Sequence, residues 1–120
     1  MREIKFRAWA EGPKKMFSWE QMLELQNKFY TWFKWTDMYR LLQFTGLYDE
    51  SGREIYEGDI LAHIDAYDSL FGKVVWDDKA ACWAFAILME DGSFDLDRLD
   101  DHAAYAEVIG NIYDNPELLK

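Results

Sequence analysis

Cysteine is almost missing from this chain. Cys82 stands alone, so no internal disulfide can form, and a single thiol suits a reducing compartment. Its surroundings, Ala80-Ala-Cys-Trp-Ala-Phe-Ala-Ile-Leu-Met89, bring no histidine or cation beside it. A buried, unreactive thiol is therefore expected rather than a nucleophile. Long apolar runs are missing too. That stretch of ten residues is the longest, whereas a bilayer-spanning helix needs about 20. The opening Met1-Arg-Glu-Ile-Lys-Phe6 lacks the apolar core of a signal peptide. These absences lead us to expect a soluble protein of the cytoplasm, with no membrane partner.

Motifs that would announce chemistry are equally scarce. No Gly-x-x-x-x-Gly-Lys-Ser/Thr and no Gly-x-Gly-x-x-Gly occurs, so nothing cradles a nucleotide phosphate. His63 and His102 fall in neither a His-x-x-x-His nor a Cys/His spacing. No Ser or Cys is nominated as a nucleophile by a nearby base. From this we expect no enzyme, no cofactor and no resident metal.

Positive charge is short in one half. Residues 1–60 carry 9 Lys/Arg against 10 Asp/Glu, while residues 61–120 carry 4 against 13, a net of −9 out of −10 overall. Such a surface repels phosphate backbones. Any nucleic-acid contact would come from the N-terminal half, where Lys5, Arg7, Lys14, Lys15 and Lys34 interleave with Trp9, Trp19, Trp32 and Trp35. Single-stranded nucleic acid uses that mixture. An aromatic core with snorkelling Lys and Arg stems uses it as well, and the acidic neighbour favours the core. In the other half Glu90, Asp91, Asp95, Asp97, Asp100, Asp101 and His102 could attract a basic partner or a cation. Calcium-loop spacing fails, because from Asp91 the glycine falls at position 2 instead of 6. We expect a solvated acidic face.

What the chain does have is aromatic bulk and turn-punctuated alternation. At 120 residues, 50% apolar and 18% aromatic, it can bury a core without staples. Ile4, Phe6 and Ala8 alternate with Lys5, Arg7 and Trp9, which predicts a half-buried strand, and Glu11-Gly-Pro-Lys-Lys15 turns it into a hairpin partner. Ser18-Trp-Glu-Gln21 matches a capping box, with Phe17 and Met22 placed as a hydrophobic staple, so a short helix is expected over 18–27. Strands are then expected over 38–44, 60–64, 72–76, 83–89, 93–99 and 106–113. Asp49-Glu-Ser-Gly52 reads as a type I turn ending in glycine, with residues 45–48 facing 53–56. Asn115-Pro116 reads as an N-cap with proline at N1, opening a last helical turn. Many short strands and no strand–long-helix alternation make the fold class mainly β, a small barrel or sandwich. A Gly-Asp turn into a strand, answered by the Gly72-led strand, is the opening of SH3-like barrels.

Four ordered segments carry a resemblance: Met1-Arg-Glu-Ile-Lys-Phe-Arg-Ala-Trp9, Gln43-Phe-Thr-Gly-Leu-Tyr-Asp-Glu-Ser-Gly-Arg-Glu-Ile-Tyr-Glu-Gly-Asp-Ile60, Gly72-Lys-Val-Val-Trp76, and Glu107-Val-Ile-Gly-Asn-Ile-Tyr-Asp-Asn-Pro-Glu-Leu-Leu119. The chain resembles the YopX family of small phage and prophage proteins. That resemblance implies an SH3-type barrel over residues 57–120, preceded by a β-rich extension with a short helix over 1–56. It carries no catalytic residues onto this sequence. The resulting expectation is a phage accessory protein that binds another protein, of host or phage origin, with self-association as a further expectation and nucleic-acid binding as the alternative. A metal-dependent enzyme around Asp91 and His102 stands third.

Overall fold

Three stretches of the chain, residues 3–24, 39–64 and 69–120, are described by the computed structural model, and strands dominate them. The chain divides into two units, Met1–Phe44 and Thr45–Lys120.

In the first unit β1 (Phe6–Ala10) lies between β2 (Lys15–Phe17) and β3 (Tyr39–Tyr48), antiparallel to both. The strand begins at Phe6 rather than Ile4, which is exposed. Its end departs from simple alternation: Ala8, Trp9 and Ala10 are all buried, so both faces of β1 are covered there. Helix α1 (Trp19–Glu24) follows, and the rest of its expected span lies outside the described residues. The capping box forms as read. Gln21 N–H donates to Ser18 Oγ at 3.2 Å, and Ser18 N–H donates back to Gln21 Oε1 at 2.9 Å. Met22 then packs with Ala8, Phe17, Tyr39 and Leu41, so the staple residues close onto the sheet.

β3 runs on into the second unit, where β4 (Glu54–Tyr56) is its neighbour. Asp49 N–H donates to Arg53 O and Gly52 N–H to Asp49 O, with Gly52 at φ +83°. This is a three-residue hairpin loop whose last position needs the left-handed backbone that glycine takes at no steric cost. The same device recurs at Met89-Glu-Asp-Gly-Ser93, where Gly92 sits at φ +85°. That loop joins two members of a five-stranded antiparallel sheet, in the order β8 (Phe94–Arg98), β7 (Cys82–Leu88), β6 (Ser69–Asp77), β5 (Asp59–Ile64), β9 (Ala106–Asn111).

Leu61, Val74, Phe85 and Ile87 project from one face of this sheet and meet Ile55 of β4. Leu99 and Ala103 cover them from two short 3-10 turns, Leu99–Asp101 and Ala103–Tyr105. Each such large apolar side chain contributes about 1.5–3 kcal/mol by leaving water. Two details differ from expectation. Cys82 is half-buried because it is the first residue of β7, opposite Asp77, and full burial along that strand begins only at Ala84. Asn115 is the N-cap residue of the 3-10 turn Pro116–Leu119, yet its side chain makes no cap bond. Its Oδ1 accepts instead from Asn111 N–H at 3.2 Å, tying the terminal turn back to β9. Among the described residues no helix is long and apolar enough to cross a membrane.

Candidate functional site

Strand β8 is an outer strand of the five-stranded sheet, and all five of its residues are exposed. Its register opposite β7 decides what it presents. Met89 N–H bonds Ser93 O at the hairpin end, so by antiparallel alternation Asp95 and Asp97 exchange hydrogen bonds with β7. The backbone groups of Phe94, Leu96 and Arg98 then point toward the open edge. Their side chains share one face of the sheet, where Phe94 is 40% and Leu96 48% exposed, and Phe71 of β6 lies on the same face. Lys73 Nζ sits 4.5 Å from the Phe94 ring centroid, a cation–π contact on that face.

The acidic residues singled out from sequence lie along and just beyond this edge, but they do not converge. Asp91 accepts from the hydroxyl and N–H of Ser93, and those bonds hold its carboxyl below the usual range. Asp100 takes two hydrogen bonds from the Arg98 guanidinium, at 3.1 and 2.9 Å, which likewise lowers it. Asp95 and Asp97 share the opposite face from Leu96, as their i, i+2 spacing requires. Asp101 is exposed in the first 3-10 turn. An open pocket of about 500 Å³ lies at the other end of β8, with Met89, Glu90, Asp91 and Ser69 in its lining.

Asp97 does something its sequence neighbourhood did not suggest. Its Oδ2 lies 3.0 Å from His102 Nε2, and the other ring nitrogen of His102, Nδ1, lies 3.0 Å from His63 Nδ1. An ionised carboxylate only accepts, so His102 carries its proton on Nε2. Its Nδ1 and that of His63 then form one N–H···N hydrogen bond. Tyr105 stacks on His63 at 6.2 Å, and Phe85 meets His102 edge-on at 5.1 Å. Sequence spacing missed this arrangement because 39 residues separate the two histidines. They meet because β5 supplies one and the connection between the 3-10 turns supplies the other. Among the described residues no group of three or more His, Cys, Asp and Glu side chains is arranged to hold a metal ion.

The basic and aromatic residues of the first unit are spread by the fold. Trp9 is 3% exposed and belongs to the interior. Lys5 is mostly covered, with Nζ 3.1 Å from Glu3 and 5.4 Å from the Phe44 ring centroid. Arg7 has a buried Nε within β1. Lys14 is exposed near Glu11 at 3.9 Å, Lys15 lies over Phe17, and Trp19 packs beside Phe6. Trp32, Lys34 and Trp35 lie outside the described residues.

The dense block at residues 43–60 turns out to hold the second unit together. Thr45 Oγ1 donates to Ile55 O at 2.7 Å. Asp49 accepts from Ser51, Arg53 and Val108 N–H, and Asp59 Oδ2 accepts from Tyr56 N–H at 2.8 Å. These are architectural bonds within the second unit. The model of the family described as YopX protein matches residues 5–120. The chain belongs to the YopX family. A solved structure, protein EF1440 from Enterococcus faecalis, is similar over 100% of both chains with a TM-score of 0.60 and 23% identity. At that identity it shows a shared fold. No curated protein matches the chain. Family membership thus covers both units and assigns no residue a role.

Proposed function

We propose that this protein is a non-enzymatic accessory protein of a phage or prophage that works by binding another protein along strand β8. The observation that carries this is the open edge itself. Unpaired strand edges template addition of an extended segment, and soluble proteins normally blunt or cover them. Here the edge bears two exposed apolar side chains, Phe94 and Leu96, on one face and two carboxylates, Asp95 and Asp97, on the other. The matching partner is an extended segment with apolar residues on one face and basic residues on the other. The element order of the second unit supports an SH3-like reading of its sheet: four consecutive antiparallel strands, 3-10 turns, then a last strand that returns beside the first. Membership of the YopX family supports the phage setting, and the lone thiol supports the cytoplasm.

The test is an affinity pull-down with the full chain and with the double variant Phe94→Glu/Leu96→Glu, from host cells with and without phage growth. Both positions are exposed, so the variant should fold, which circular dichroism checks. The expected result is a reproducible protein partner captured by the native chain and lost by the variant. A partner held equally by both, or none at all, overturns the proposal. Recovery of more of the same chain would make β8 a self-association edge, and oligonucleotide binding at about 50 mM salt that fades as salt rises would favour nucleic acid instead.

A further inference from the structure

On the reading of β8 as the binding edge, we infer that Asp95 and Asp97 select its occupant. They bar a second copy of this chain and admit an extended segment carrying Lys or Arg at alternate positions. Asp95 and Asp97 turn their backbone groups toward Ile87 and Phe85 of β7, so Phe94, Leu96 and Arg98 offer theirs to an added strand. An antiparallel newcomer therefore bonds to those three residues. Whatever faces Asp95 and Asp97 occupies the non-bonded positions between, where Cα atoms stand about 4.5 Å apart and side chains are closest.

For a second copy this parity has one outcome. In a twofold pairing each hydrogen-bonded pair joins two of Phe94, Leu96 and Arg98. Every register with more than one such pair then sets an aspartate opposite an aspartate: Asp95 on Asp95, Asp95 on Asp97, or Asp97 on Asp97. Like charges directly opposite are destabilising, and the acidic charge of residues 61–120 adds to the repulsion. The nearby cations belong to the other face, where Arg98 holds Asp100 and Lys73 lies over Phe94. Charged side chains are a common means of keeping open edges from pairing.

A basic segment meets the reverse situation. Cations that alternate with apolar residues fall opposite Asp95 and Asp97, while the apolar residues lie beside Phe94 and Leu96. His102 Nε2–H, 3.0 Å from Asp97 Oδ2, anchors that carboxylate on the acidic face. Asp95 has no side-chain partner among the described residues, so its carboxylate is open to a cation.

Amide hydrogen exchange at β8 tests the selection, because the outward N–H groups of Phe94, Leu96 and Arg98 slow when a strand covers them. The probe is the synthetic peptide Lys-Val-Lys-Val-Lys-Val-Lys, with Glu-Val-Glu-Val-Glu-Val-Glu as its control. In the native full chain the three amides should exchange equally fast at every protein concentration, slow with the lysine peptide and ignore the glutamate peptide. Asp95→Asn/Asp97→Asn keeps the side-chain shape at two exposed positions. That variant should bind the lysine peptide about three- to tenfold more weakly, and its amides should slow as its own concentration rises. Native amides that slow with concentration, equal binding of the two peptides, or a variant that behaves as the native chain does would overturn the inference. The pull-down separates this from the edge itself. A partner lost by Phe94→Glu/Leu96→Glu but held undiminished by Asp95→Asn/Asp97→Asn leaves the edge standing and overturns the selection alone.

Discussion

Asp49 and Val108 are 59 positions apart, and the carboxylate of the first accepts the backbone N–H of the second at 3.0 Å. The same carboxylate accepts from Ser51 N–H at 3.0 Å and Arg53 N–H at 2.8 Å. One side chain thus shapes its own hairpin loop and fastens it to β9. Ser51 Oγ adds a bond to Glu107, Arg53 donates to Val108 O, and Glu50 N–H donates to Ala106 O. The outer side of β9, which would otherwise be an open edge, is covered by this loop.

Replacing Asp49 by Ala should therefore be among the most damaging single changes in the chain. Asp49 is 5% exposed, and three backbone donors would lose their acceptor. Each buried donor left unsatisfied costs about 1–3 kcal/mol, with water recovering part of that total. A loss of roughly 3 kcal/mol in urea unfolding is expected.

Asp49 also sets an acid limit. Burial pushes its carboxyl up, but the N–H groups of Val108, Arg53 and Ser51 and the charge of Arg53 outweigh burial and hold it below the ordinary value. A folded-state value below the unfolded one, about 3.9, gives stability that is complete above that pH. It is lost as pH falls through the folded value. Unfolding free energies of native chain and Asp49→Asn, compared from pH 7 downward, should converge below about pH 4.

At Thr45 the hydroxyl both donates to Ile55 O and accepts from Leu47 N–H at 3.2 Å. Thr45→Val keeps the shape and the β-branch and removes both bonds. The expected loss is about 1–2 kcal/mol by thermal or urea unfolding. An unchanged melt would remove this bond from the account of β3 and β4.

Gly72 answers to packing rather than to backbone angle. A Cβ there would stand 2.2 Å from Ala86 O and 2.7 Å from Phe85 Cε1. The carbonyl cannot yield without disturbing the β6–β7 register, in which Gly72 faces Ile87. Gly72→Ala should destabilise by about 1–3 kcal/mol, while Gly12→Ala, with nothing within 4 Å, serves as the control in the same melt.

In the first unit Ser18→Ala removes the acceptor of Gln21 N–H. A loss of about 1 kcal/mol is expected for a helix N-cap. Amide exchange over α1 should quicken before the sheet amides change.

Features written over four or five consecutive residues were legible without coordinates. The capping box at Ser18 and Gln21, the glycine-closed loop at Gly52 and the strand over 93–99 follow from local hydrogen bonding, local sterics and the two-residue period of a strand. The double burial at Ala8, Trp9 and Ala10 was not legible, since alternation marks one covered face and cannot show what packs on the other. Nor was the displaced Asn115 side chain, because a cap and a tether to Asn111 use the same residue type.

By itself the sequence determined the family, the mainly β class, the turn positions and the acidic charge of the second half, all of which reside in local order or composition. Only the tertiary structure decided that His63, His102 and Asp97 form one hydrogen-bonded chain, that Asp49 reaches Val108, and that β8 is left at an open edge. Those outcomes depend on strand order and register. Strand order and register are set by how the whole core packs, so no short window of residues contains them.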